Sequence, residues 1–181
     1  MMLFVNTCVR AESRTERIAR ALLAKLGGAY DEVKPETAGF VPLTGETLAR
    51  RTALIEAGDY ADPMFDAAKQ FAAADCIVIA APFWDYSFPA ALKVYFENIY
   101  VTGIVSRYGP DGMPGGLCSA KKLYYVTTAG GPYVPEFGYG WVEALAKYAF
   151  GIPETELIAA ELLDVDGFDA EKIVADTIAR L

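Results

Sequence analysis

The chain contains no histidine. A Ser-His-Asp triad, a Cys-His pair and every histidine-ligated metal centre are thereby excluded. Cysteine is scarce, and Cys8, Cys76 and Cys118 lie far apart with no CxxC spacing. Neither a disulfide framework nor a metal site is expected from them. No apolar run approaches the ~18 residues of a membrane span. Residues 1–6 lack the basic segment, long apolar stretch and small-residue cleavage site of a secretory signal. The expectation is a cytoplasmic protein without membrane association. Positive charge is in deficit: 16 Lys and Arg face 24 Asp and Glu, a net charge of -8. The basic doublets are Arg50-Arg51 and Lys121-Lys122, so a phosphate backbone would be repelled and no nucleic-acid partner is expected. The dinucleotide fingerprint GxGxxG and the P-loop GxxxxGK[ST] are both missing. If such a chain is an enzyme, a cofactor is the expected carrier of its chemistry.

What is present is a regular alternation. The 181 residues are 54% apolar, enough for one domain over 1–181 with a sizeable core. Short apolar runs at 3–6, 30–33, 76–81, 122–127 and 156–160 read as strands. Helical periodicity at 13–26, 46–57, from Pro63 onward, and at 89–100, 139–150 and 169–181 separates them. Ile18, Leu22, Leu23 and Leu26 form one stripe; Met64, Phe65, Ala68 and Phe71 form another; Trp141, Leu145 and Tyr148 are spaced for packing. Gly27-Gly28 ends the first helix, Asp62-Pro63 starts the third, and 109–116 reads as a Gly/Pro-rich loop. Such alternation predicts an α/β, three-layer sandwich around a five-stranded parallel sheet. In strand order 2-1-3-4-5, the ligand crevice falls where strands 1 and 3 diverge.

Three loops converge there: 7–15, 82–88 and 128–133. The first runs Thr7-Cys8-Val9-Arg10-Ala11-Glu12-Ser13-Arg14-Thr15 into a helix N-terminus, where free N–H groups and the dipole attract phosphate. Ser13 and Thr15 supply hydroxyls and Arg10 and Arg14 guanidinium groups; Ser13 is equally a plain helix cap. Cys8 reads as a packing or ligand-adjacent thiol, since Arg14 falls one position late for a C-x5-R phosphatase loop. The second loop, Pro82-Phe83-Trp84-Asp85-Tyr86-Ser87-Phe88, is aromatic enough to flank a flat ring, or to pack as core. The third, Thr128-Ala129-Gly130-Gly131-Pro132-Tyr133, has paired glycines that let backbone approach a ligand or simply turn tightly.

Together these loops resemble the flavodoxin-like family of FMN-dependent NAD(P)H oxidoreductases, which includes NADH-azoreductases and quinone reductases. The resemblance spans most of the chain and is strongest over 81–133. It implies a flavodoxin-like fold and FMN as cofactor. NADH or NADPH would be the donor, with a quinone, azo or nitroaromatic acceptor served by a ping-pong mechanism. Phe83, Trp84, Asp85 and Tyr86 match the family's flavin-ring loop after Pro82. Thr128, Ala129, Gly130 and Gly131, with Tyr133 beyond, match its T/S-x-G-G loop, and Ser13, Arg14 and Thr15 its phosphate loop. Arg107-Tyr108 matches a pair whose tyrosine reaches the neighbouring subunit's active site, which makes Tyr108 the catalytic-site candidate, a wall of the nicotinamide and acceptor pocket with Trp84 and Tyr133. A homodimer is therefore implied, with 89–100 and Tyr95, Phe96, Tyr100 and Tyr108 as contact candidates. Asp85 stands where the family has asparagine, Ala129 where it has a larger or polar residue, and arginines where it has extra serines. A non-enzymatic flavodoxin-type electron carrier is the alternative.

Overall fold

The computed structural model describes residues 1–181. Along the chain run β1 (Met2–Asn6), α1 (Arg14–Leu26), β2 (Tyr30–Val33), α2 (Gly45–Glu56), a 3-10 turn (Pro63–Phe65), α3 (Asp66–Ala73), β3 (Cys76–Ala80) and α4 (Ala90–Ile99). They are followed by β4 (Ser106–Tyr108), β5 (Pro114–Gly116), β6 (Lys122–Thr128), α5 (Tyr139–Ala144), β7 (Glu154–Ala160) and α6 (Ala170–Ala179). Five strands form one parallel sheet in the order β2-β1-β3-β6-β7, the expected 2-1-3-4-5 when the sheet's strands are numbered alone.

The central strands are apolar on both faces because both faces are covered by helices. Leu3, Val5, Ile77 and Ile79 point into one core with Phe71, Tyr95, Phe96 and Phe150. Their neighbours Phe4, Val78 and Ala80 point into the other, with Ile18, Leu22 and Val174. The period-two alternation of the strands thus feeds two separate layers. The N-terminus of α1 is fixed by Ser13, whose Oγ accepts from the Glu16 N–H at 3.2 Å. Arg20 on α1 reaches Glu32 of β2 at 2.9 Å, and Asn6 donates to the same carboxylate at 2.9 Å. Asp62 accepts from the Met64 N–H ahead of Pro63, the expected helix start.

Four expectations are corrected. Leu26, the last residue of α1 before the Gly27 cap at φ 70°, is exposed and does not extend the buried stripe. The stretch 109–116 is not all loop: Tyr108 pairs with Pro114 and Ser106 with Gly116 in an antiparallel hairpin. The helix over 139–150 becomes a π-helical turn over Leu145–Phe150, which rotates Tyr148 outward to 74% exposure. Tyr95 and Phe96 are not interface aromatics. Both are buried within the chain, packed on Phe71 and Phe150 or Trp141, so ordinary packing accounts for them. No helix is long and apolar enough to cross a membrane.

Candidate functional site

The carboxyl ends of β1 and β3 are stitched together by Thr7, whose N–H and hydroxyl both donate to the Ala80 carbonyl at 2.9 Å. Beyond that point the loops leaving the two strands part, as the strand order requires. Between them lies a cavity of about 270 Å³. Its walls come from the loops after β1, β3 and β6, and also from the segment after β7.

At the α1 end, the N–H groups of Arg14 and Thr15 open the helix and have no intrahelical acceptor. Ser13 Oγ receives the Glu16 N–H, which leaves its own proton free to donate. The Thr15 hydroxyl, in a side chain only 1% exposed, lies 2.6 Å from that of Thr128. One of these two hydroxyls donates to the other, so one proton remains for a third group. The hydroxyl pair bridges the first and third loops. Cys8 sits in the same wall, and burial pushes its thiol up to about 11. At neutral pH it is a protonated, poorly nucleophilic group.

The second loop is a two-residue hairpin. Trp84 and Ser87 exchange backbone hydrogen bonds at 2.9 and 2.7 Å around Asp85 and Tyr86, whose φ angles are 50° and 59°. Both tip residues are left-handed, the signature of a type I′ turn. Asparagine and aspartate tolerate that conformation well, which is why Asp85 can occupy this position; a tyrosine there is strained. The Phe83 N–H donates to the Thr128 carbonyl at 2.9 Å. Of residues 83–87, only Asp85 and Tyr86 therefore keep N–H groups free of partners within the chain. Phe83 is half-buried and meets Tyr133 edge-on at 4.8 Å and Tyr86 at 6.1 Å; Tyr86 in turn meets Phe137 at 6.2 Å. Trp84, exposed at 36%, faces the cavity.

The third loop is held by the segment after β7. Leu162, Leu163 and Asp164 donate their N–H groups to the carbonyls of Gly131, Ala129 and Gly130 at 3.0, 3.2 and 2.9 Å. Glu161 accepts the Tyr133 N–H at 2.8 Å. The paired glycines have different reasons. A Cβ at Gly130 would lie 2.5 Å from Asp164 Oδ2, whereas one at Gly131 would meet nothing within 4 Å. Gly130 accommodates Asp164; Gly131 leaves an open approach. Arg14 closes the circuit, with Nη1 donating to the Leu163 carbonyl at 3.2 Å and to Asp164 at 2.9 Å.

Of the residues singled out in the sequence, Cys8, Arg10, Ser13, Arg14 and Thr15 line the cavity. So do Pro82, Phe83 and Trp84, and Thr128, Ala129 and Gly130. Asp85, Tyr86, Gly131 and Tyr133 are not in its wall; Tyr86 and Tyr133 flank Phe83 at the rim. Tyr108 is on the β4–β5 hairpin, 69% exposed and outside this cavity. Sequence reasoning missed Val9 and Glu12, and above all Leu163 and Asp164. The available signal was topological: 161–164 leaves the carboxyl end of a strand on the ligand side of the sheet.

A family model described as "Flavodoxin-like fold" matches residues 2–181. An FMN-dependent NADH:quinone oxidoreductase of Clostridium acetobutylicum is 43% identical over 119 residues, covering 62% of this chain and 58% of that protein. One from Bacillus pumilus is 34% identical over 149 residues, covering 79% of this chain and 65% of that protein. This chain thus spans about 58–65% of the length of these relatives. Among solved structures, an azoreductase from Bacillus anthracis superposes with a TM-score of 0.85 at 22% identity, covering 99% of this chain and 95% of that one. An FMN-dependent NADH-azoreductase of the same species, in complex with FMN, gives 0.82 at 17% identity, covering 99% and 94%. At these identities the superpositions speak for the fold.

Proposed function

The chain belongs to the family of flavodoxin-like fold, and from that premise we propose that it is an FMN-dependent NAD(P)H oxidoreductase passing electrons to a quinone, azo or nitroaromatic acceptor. The observation that carries this reading is the single cavity whose walls combine a helix N-terminus, an aromatic hairpin and an open glycine loop. The named activity of the relatives supports it.

The residues present fit FMN. The unpartnered N–H groups of Arg14 and Thr15, the free Ser13 proton and the remaining Thr15–Thr128 proton suit a phosphate at the α1 end. Phe83 and Trp84 offer apolar surface for a planar ring, and Thr128, Ala129 and Gly130 supply the wall from the glycine loop. When bound, FMN supplies the acceptance of hydride and its onward delivery as electrons. The protein's share is orientation. The free N–H groups of Asp85 and Tyr86, at the tip of the type I′ hairpin beside the cavity, would be available to hydrogen-bond the edge of a bound ring. Phe83 is braced edge-on by Tyr133, and the loop after β7 pins the glycine loop through three backbone hydrogen bonds. No side chain acts as nucleophile, in keeping with a protonated Cys8 thiol and the absence of histidine. Donor and acceptor occupy one open face in turn, which is a ping-pong scheme. A homodimer is part of the proposal, with the exposed Tyr108 of the β4–β5 hairpin turned to a second copy. We place the protein in the reducing cytoplasm, where its three free cysteines stay as thiols.

Steady-state kinetics with FMN-loaded protein, NADH or NADPH and a water-soluble quinone test the reading. Parallel double-reciprocal lines and competition between the two substrates are expected. Intersecting lines contradict the shared face. Bound FMN without turnover from either nicotinamide indicates the electron carrier instead.

A further inference from the structure

The charges around the phosphate end do not add up to a cationic site. The cavity wall holds two cations, Arg10 and Arg14, and two anions, Glu12 and Asp164. Arg14 is directly paired with Asp164 through Nη1, and its remaining guanidinium N–H groups make no hydrogen bond within the chain. Those groups can turn to an anion while Nη1 stays anchored. Any anion they hold lies within about 8 Å, a Debye length at physiological ionic strength, of the Asp164 carboxylate. The backbone of Asp164 is fixed and its exposed side chain rests against Gly130 while it holds Arg14. Its N–H is bonded to the Gly130 carbonyl at 2.9 Å, and its carboxylate abuts the Gly130 backbone, where a Cβ would come within 2.5 Å of Oδ2.

We propose that Asp164 is the specificity-determining residue of the phosphate end. It anchors Arg14 through a hydrogen bond and, by its charge, opposes a phosphate dianion, so that recognition is left to N–H and hydroxyl donors. This rests on the FMN reading above and deepens it. The consequence is a moderated preference for the phosphorylated over the unphosphorylated flavin. The carboxylate's two functions separate in Asp164→Asn. Asparagine keeps the Oδ1 acceptor for Arg14 Nη1 and the shape against Gly130, and it removes only the charge. Two negative charges on a phosphate within that distance of one carboxylate, in a solvent-open site, correspond to about a fivefold effect on affinity.

Binding is measured by quenching of flavin fluorescence, with FMN and with riboflavin, on wild type, Asp164→Asn and Arg14→Gln, and circular dichroism confirms folding. Asp164→Asn is expected to tighten FMN about fivefold while riboflavin changes less than twofold. Arg14→Gln is expected to weaken FMN and leave riboflavin unchanged. Given that the wild type binds FMN, equal or weaker FMN binding by folded Asp164→Asn overturns the assignment. So does an equal gain for riboflavin, which carries no phosphate. Failure of wild type to bind either flavin refutes the FMN reading itself, and with it this inference.

Discussion

The Thr15–Thr128 hydroxyl pair, at 2.6 Å, should be energetically lopsided. Thr15 is 1% exposed, whereas Thr128 is half-buried at the end of β6. In Thr128→Val the Thr15 hydroxyl loses its partner in a place that water does not reach. The expected cost is about 2 kcal/mol, the penalty for a buried unsatisfied polar group. In Thr15→Val the surviving Thr128 hydroxyl can turn to solvent, and the cost should be about 1 kcal/mol. In the double variant no orphan remains, so the total should fall to about 1 kcal/mol, giving a coupling of about 2 kcal/mol. For a chain of this size each kcal/mol lowers Tm by about 2–4 °C. Urea denaturation of the four proteins, checked for constant m, closes the cycle. Because the pair joins the first and third loops, the double variant should also bind FMN more weakly than either fold loss or local cap loss explains. Additive single effects, or a greater cost for Thr15→Val than for Thr128→Val, would refute the argument.

Three further outcomes follow from other parts of the molecule. Gly116→Ala would place a Cβ 2.0 Å from backbone atoms of Phe150 and Gly151, which cannot yield as a side chain tip can, so the β4–β5 hairpin should detach at a cost of about 3 kcal/mol; rapid proteolytic nicking within 109–113 reports it. Burial pushes Cys8 up to about 11 and Cys118 up to about 12, above the ordinary value of 9.0. Between pH 9 and about 11 the unfolded chain loses thiol protons that the folded chain keeps, so stability should fall with rising pH across that window, and less so in Cys8→Ala/Cys118→Ala; a slope unchanged by the substitutions argues against burial as the cause. Sedimentation of FMN-loaded protein should show a dimer at micromolar concentration, and a catalytically active monomer there removes the partner role of Tyr108.

Much of this was legible in the chain because the signals were local. The two-residue alternation of Leu3-Phe4-Val5 and Ile77-Val78-Ile79 needs buried faces on both sides, and a parallel sheet with helices on each side provides them. Ser13 and Asp62 announced helix starts through capping chemistry that needs no tertiary context. What escaped was non-local. Arg14 reaches Asp164 across 150 positions, and the same carboxylate lies against Gly130. Neither partner is visible from the other's neighbourhood. The aromatic residues of α4 misled for a related reason: Tyr95 and Phe96 are as apolar as an interface core, and only the fold shows that Phe71 and Phe150 already cover them. Tyr148 was turned outward by a π-helical turn, a change of period that a 3.6-residue pattern does not register.

The central claim is that the loops after β1, β3 and β6 form one FMN site with its phosphate at the N-terminus of α1. Titration of FMN into wild type and into the triple variant Ser13→Ala/Arg14→Glu/Thr15→Ala tests it most directly. The substitutions remove two hydroxyl donors and set a carboxylate against the phosphate beside Asp164. Loss of the Ser13 cap costs about 1 kcal/mol, so the variant should still fold. The account predicts FMN affinity reduced at least about a hundredfold, as two or more charge-assisted contacts are lost or reversed, with riboflavin affinity nearly unchanged. Unchanged FMN affinity in the folded triple variant would contradict it.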